Sequence, residues 1–194
     1  MKMTDRDLAV VNFINQYELC NKEHIKELFF PDCHANVCMR RLKKLAEEEL
    51  INRFKHDGNV FVYYSKKKPS KRLLVHDMYI TDFVVKMLKQ GYEIIEFKKS
   101  FVIGNIISDA YIRYKDTEGV TRHLVLEIQL HNKVEDCINK YADFKNIILD
   151  NRKDFNSIPR IICITDMKDR IQLKGLKVLY DTTKLENIHE VLRG

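Results

Sequence analysis

Leu126-Glu127-Ile128-Gln129-Leu130 sets two polar side chains at alternate positions in an apolar run. Strand side chains alternate faces, so Glu127 and Gln129 emerge together while Leu126, Ile128 and Leu130 turn the other way, into the core. Asp109 lies eighteen residues earlier in Ile107-Ser108-Asp109-Ala110-Tyr111-Ile112, a second strand-like run. Asp116-Thr117-Glu118-Gly119 makes a tight turn between the two, which predicts an antiparallel hairpin. Counting the register about that turn sets Asp109 near residue 126 and Ala110 near Glu127, to within about two residues. An Asp on one strand and Glu-x-Gln on its neighbour can hold a divalent cation against a phosphodiester. Such a cation takes hard oxygen ligands, and a lysine or glutamine beside it orients the attacking water.

Outward from this hairpin, residues 73–90 read as a helix through Leu74, Met78, Phe83, Val84, Met87 and Leu88, stopped by Gly91. Strands are expected at Tyr92–Phe97, Ser108–Tyr114 and His123–Leu130. A helix over Lys133–Asp150 has Val134, Ile138, Tyr141, Phe144 and Ile148 on one face. Strands at Arg160–Thr165 and Leu176–Tyr180 and a helix at Lys184–Leu192 complete an α-β-β-β-α-β order followed by β-α.

The first third reads differently. Thr4 caps a helix with Asp5 and Asp7 in its first turn, and Leu8, Val11, Phe13, Ile14 and Tyr17 give its stripe. Asn21 caps a second helix ending at Leu28. A third spans about residues 34–49, marked by Val37, Arg41, Leu42, Leu45 and Leu50. Asp57-Gly58 between Leu50–His56 and Val60–Tyr64 is a hairpin signal, because both central turn positions favour positive φ. Three helices and a hairpin follow the winged helix-turn-helix order, whose third helix enters the major groove. That helix carries Arg40, Arg41, Lys43 and Lys44, and the hairpin adds Arg53 and Lys55. Ser65–Arg72, with Lys66, Lys67, Lys68 and a proline, is a polar connector able to add phosphate contacts. The reading is thus α/β overall: a winged-helix domain at 1–68 and a second domain at 72–194.

Charge agrees with that division. Residues 1–72 hold 15 Lys and Arg against 10 Asp and Glu, whereas residues 73–194 hold 19 against 18. A polyanion-binding module joined to a nearly neutral domain is the expectation. The start, Met1-Lys2-Met3-Thr4-Asp5-Arg6, lacks a signal-peptide pattern, and no apolar run is long enough to span a bilayer. Five cysteines in no regular framework point to a reducing cytoplasm and away from a disulfide scaffold. Cys20, His24, Cys33, His34 and Cys38 crowd together, but without Cys-x-x-Cys spacing they read as packed or surface groups before they read as zinc ligands. His76, His123 and His131 lack a Ser or Cys at informative spacing, and no P-loop is present.

Asp109 and Glu127-Ile128-Gln129 in this element order resemble the PD-(D/E)xK restriction-endonuclease-like superfamily, which sets an Asp at the start of one strand and Glu-x-Lys on the next. The resemblance implies that Asp109 and Glu127 are ligands of Mg²⁺ or Mn²⁺ and that Gln129 stands where the lysine stands. Ser108 replaces the motif's proline, and the neutral Gln129 cannot stabilise developing negative charge; Lys133 or Lys140 can substitute if the following helix docks beside the strands. More narrowly, Thr4–Tyr17, Arg40-Arg41-Leu42-Lys43-Lys44-Leu45 and the Ser108-Asp109-Ala110, Glu127 and Lys140-Tyr141 series resemble the replication-relaxation family of plasmids, phages and conjugative elements, over roughly residues 4–165. That likeness implies a DNA-binding accessory or regulator in replication, mobilisation or transcription control, with a degenerate nuclease-like domain. The alternative is an active metal-dependent endonuclease or nickase using Asp109, Glu127, Gln129 and Lys140. Double-stranded DNA is the implied partner, with homodimerisation and other replication or mobilisation proteins as further classes and no membrane.

Overall fold

The computed structural model describes residues 2–58, 60–131, 133–151, 155 and 157–193. The protein is mixed α/β and divides by contact into two compact units, Met1–Val85 and Lys86–Gly194.

In the first unit, helix α1 (Asp5–Tyr17) begins at Thr4, whose hydroxyl accepts from the Asp7 amide while the Asp7 carboxylate accepts from the Thr4 amide. This reciprocal cap satisfies two of the amides that a helix start leaves open. Strand β1 (Leu19–Asn21) follows, and Asn21 then caps α2 (Lys22–Phe29) through the His24 amide at 2.9 Å. Helix α3 (Ala35–Glu47) starts at His34 and buries Cys38, Leu42 and Leu45 completely. Val37 and Leu50, expected on its buried stripe, are exposed, and Cys38 takes the inward position.

Strands β2 (Asn52–His56) and β3 (Val60–Tyr64) pair antiparallel, with Asp57 at φ 26° and Gly58 at φ 70° in the connection. The sheet order is β1-β3-β2, Leu19 facing Tyr64. Helix α4 (Lys71–Lys89) contributes to both units. In the first, Leu74 packs with Leu19 and Val62, and the buried Thr81 hydroxyl donates to the Leu19 carbonyl at 2.8 Å. Gly91, at φ 84°, ends the helical path in a conformation that disfavours L side chains.

The second unit is built on one sheet. Strands β4 (Glu93–Ile103), β5 (Ile106–Lys115) and β6 (Thr121–Ile128) form an antiparallel meander. After helices α5 (Val134–Asn139) and α6 (Phe144–Asp150), strand β7 (Arg160–Ile164) joins β6 in parallel and β8 (Val178–Asp181) joins β7 in parallel. Helix α7 (Ile188–Arg193) closes the order, and the sheet runs β4-β5-β6-β7-β8.

Both faces of the central strands are covered, which is why Leu124, Val125, Leu126 and Ile161–Ile164 are fully buried. On one face Val134, Ile138, Tyr141, Phe144 and Ile148 pack over Tyr111, Val125, Ile161 and Cys163. The expected single helix over 133–150 is two helices: Tyr141, Ala142 and Phe144 donate three residues back, tightening the chain at 140–143. Among the described residues no helix is long and apolar enough to cross a membrane.

Candidate functional site

The cations expected on the DNA-facing side fall into distinct environments. Arg40, Lys43 and Lys44 are exposed on α3, opposite the buried Cys38–Leu42–Leu45 stripe. Lys43 makes a surface pair with Glu47 at 3.5 Å. Such exposed pairs contribute little and leave the charge available. Arg40 and Lys44 have no ion-pair partner among the described residues.

Arg41 differs. Its guanidinium donates to both carboxylate oxygens of Asp7, a residue 1% exposed, and to the Lys2 carbonyl at 3.2 Å. The Arg41 hydrogen bonds hold the Asp7 carboxyl well below the usual carboxylate range against the opposing effect of burial. Arg41 thereby ties α3 to the capped start of α1. Asp7 reads in the sequence only as a first-turn acid, and nothing local announces its second role.

On the hairpin, Arg53 lies 4.8 Å from the Phe61 ring centroid and Lys55 5.8 Å from it. Lys68 lies 4.8 Å from the Phe54 centroid, and Lys66 and Lys67 are exposed.

In the second unit the antiparallel register sets Ala110 opposite Leu126 and Tyr111 opposite Val125, so Asp109 and Glu127 share a sheet face at the next step. The counted register bracketed this pairing. Asp109 Oδ2 accepts the Ile128 amide at 2.7 Å, tying the two strand ends together. Gln129 lies just beyond β6, half-buried, and its amide donates to the Ile164 carbonyl at 2.9 Å.

Glu127 does not face solvent: it is 3% exposed and roofed by the α5–α6 junction. Lys140 Nζ stands 2.8 Å from one carboxylate oxygen and 2.9 Å from the other, and also donates to the Ile107 carbonyl at 2.7 Å. The Tyr141 hydroxyl donates to Glu127 Oε1, and Cys137 Sγ approaches Oε2 at 3.4 Å. Burial first, and the Asp109 charge second, push the Glu127 carboxyl above its ordinary value, while Lys140 and Tyr141 pull it back. Burial and the Glu127 charge push the Tyr141 phenol up, so it remains a donor. Tyr141 appears in the sequence as one member of an apolar stripe. Its polar role arises because the break at 140–143 turns two consecutive side chains towards one carboxylate.

No protein-family model, curated protein or solved structure matches the chain.

The carboxylate pair can therefore be judged on its own donors. Mg²⁺ keeps several waters and can be held by two carboxylates, so the number of acids is sufficient. Their occupation is the difficulty. An ion at either Glu127 oxygen meets an ammonium already within 3 Å, and the two cations compete for one charge. Among the described residues no group of three or more His, Cys, Asp or Glu is placed to hold a metal. The geometry describes Glu127 as a buried acid whose charge is balanced by Lys140.

His123, 3% exposed, shares its Nδ1 with the Tyr111 hydroxyl at 2.7 Å, and burial lowers its pKa. His131 is exposed.

Proposed function

We propose that the chain is a double-stranded DNA-binding accessory or regulatory protein, of the kind that the replication-relaxation likeness assigns to mobile elements. In this reading residues 1–68 form a winged-helix module, α3 enters the major groove, and the β2–β3 hairpin lies along the backbone. Support comes from the order α1-β1-α2-α3-β2-β3 and above all from one observation: Arg40 and Lys44 stand exposed on α3 with no ion-pair partner among the described residues. Two solvated cations beside Lys43 are a ready phosphate- or base-edge-contacting surface. Arg53, Lys55 and Lys66–Lys68 extend it, whereas Arg41 is committed to Asp7 and serves as a brace.

The second unit is read as a degenerate restriction-endonuclease-like sheet, because the neutral Gln129 stands where that superfamily has its lysine. A metal-dependent nuclease is the second reading, favoured by the convergence of Asp109, Glu127 and Lys140 on one sheet end. Supercoiled plasmid incubated with the protein and either Mg²⁺ or Mn²⁺ separates the two. The expected result is retention without nicking; nicking that Glu127→Ala abolishes would establish the nuclease.

A further inference from the structure

Within the first unit, the α2 start, α3 and the hairpin enclose a cleft of about 310 Å³. Its walls are apolar: Met39 from α3, and Val60, Phe61 and the buried Tyr63 from β3. Met39 and Val60 remain 40% and 51% exposed and face this one concave surface. The rim is cationic. Lys22, Arg40, Lys43 and Arg53 stand around the cleft; Lys22 pairs with the lining Glu23 at 3.1 Å and Lys43 with Glu47 at 3.5 Å, which leaves the charges of Arg40 and Arg53 in excess. Arg53 is held in place over the Phe61 ring and opposite Tyr63 in the strand register, so at least one rim charge is pre-oriented.

An apolar floor with a few fixed polar groups at its mouth is the usual anatomy of a small-molecule site, and this volume lies at the lower end of that range. Excess positive charge selects the sign of the ligand, and the aromatic wall selects its body. We propose that this cleft binds a small amphipathic organic anion, with an aromatic or acyl body against Met39, Phe61 and Tyr63 and its carboxylate, sulfonate or phosphate facing Arg40, Lys43 and Arg53. On the DNA-binding reading, which this step alone rests on, Arg40 and Lys43 serve both ligands, so the anion and DNA exclude one another.

The full-length protein titrated with anilinonaphthalene sulfonate tests the site. A saturable rise in fluorescence is expected, weakened about tenfold by Arg53→Gln, the loss of one charge-assisted contact. Lys43→Gln should weaken it several-fold, and Phe61→Ala should weaken it independently of salt. The paired control Lys145→Gln/Lys174→Gln removes two exposed charges from the other unit and should leave the titration unchanged. Far-UV circular dichroism checks that each variant folds. Non-saturable binding, or equal weakening by the control, overturns the site, as does equally tight binding of a neutral aromatic probe. Adding double-stranded DNA then tests the coupling: displacement of the probe supports it. Bound DNA that leaves the probe in place overturns the exclusion and leaves the cleft standing. Failure of DNA to bind at all overturns the DNA reading, and the probe titration still decides the cleft.

Discussion

Replacing Lys140 by Met should destabilise the second unit in a pH-dependent way. Removing one partner of a buried ion pair costs ~3–5 kcal/mol, because the other charge is left unpaired. Glu127 is 3% exposed, but the Lys140 side chain is 32% exposed and the Tyr141 hydroxyl remains as a donor. Water reaching the Lys140 side and the surviving hydrogen bond lower the expected cost to ~1.5–3 kcal/mol. Folding raises the Glu127 pKa, chiefly by burial and then by the Asp109 charge. Between the ordinary carboxylate range and that raised value the folded chain binds more protons than the unfolded one, so this group's stability falls as pH climbs through the window. Lys140 opposes the rise, and its loss carries the window to higher pH. The cost of Lys140→Met should therefore be smaller near pH ~4, where the raised pKa favours the protonated carboxyl, and larger near pH ~8. Titrating groups remote from Glu127 cancel in the comparison. Urea-dependent hydrogen exchange of β6 peptides reports this unit locally. Glu127→Gln/Lys140→Met should recover most of the loss at the higher pH. A cost equal at both pH values, or below ~0.5 kcal/mol throughout, would refute the reasoning, since surface substitutions away from such features fall in that range.

Arg41→Met should strand the buried Asp7 and cost ~2–4 kcal/mol at neutral pH, read from urea unfolding. Folding lowers the Asp7 pKa, so its contribution is present above the ordinary carboxylate range and is lost as pH falls through and below it. The Arg41→Met protein should accordingly show a shallower loss of stability on acidification than the parent. Thr4→Ala removes the α1 cap and should cost ~1 kcal/mol, measured as a fall in thermal midpoint. Gly91→Ala forces a Cβ into φ 84°; its nearest neighbour, Thr117 Cγ2, is at a comfortable 3.9 Å. The expected loss of ~1–2 kcal/mol is then purely backbone, and Gly91→Asn should recover part of it.

Local chemistry made much of this fold readable. Thr4 and Asn21 cap helices because their short oxygen-bearing side chains reach the next-turn amides, and both were legible. Asp57-Gly58 and Gly91 announced positive φ, and the turn at 116–119 gave the β5–β6 register to within one residue. The missed features depend on distant partners. Strand β1 is three residues whose identity comes from pairing with β3 over forty residues away. Strand β4 runs on to Ile103 and turns at Gly104, past the expected end at Phe97. The break at 140–143 lies in an uninterrupted apolar stripe without Pro or Gly, and nothing local announces that Lys140 and Tyr141 meet the buried Glu127 there. Arg41 looked like its exposed neighbours because its partner, Asp7, lies 34 residues earlier.

Fluorescence anisotropy of a labelled duplex, titrated at several salt concentrations with the parent protein and with Arg40→Gln/Lys44→Gln, addresses the α3 surface most directly. The parent should bind with affinity falling steeply in salt, and the double variant should bind more weakly with a salt slope shallower by ~1.8 if both cations meet phosphates. Unchanged affinity and slope would contradict the placement of DNA on α3.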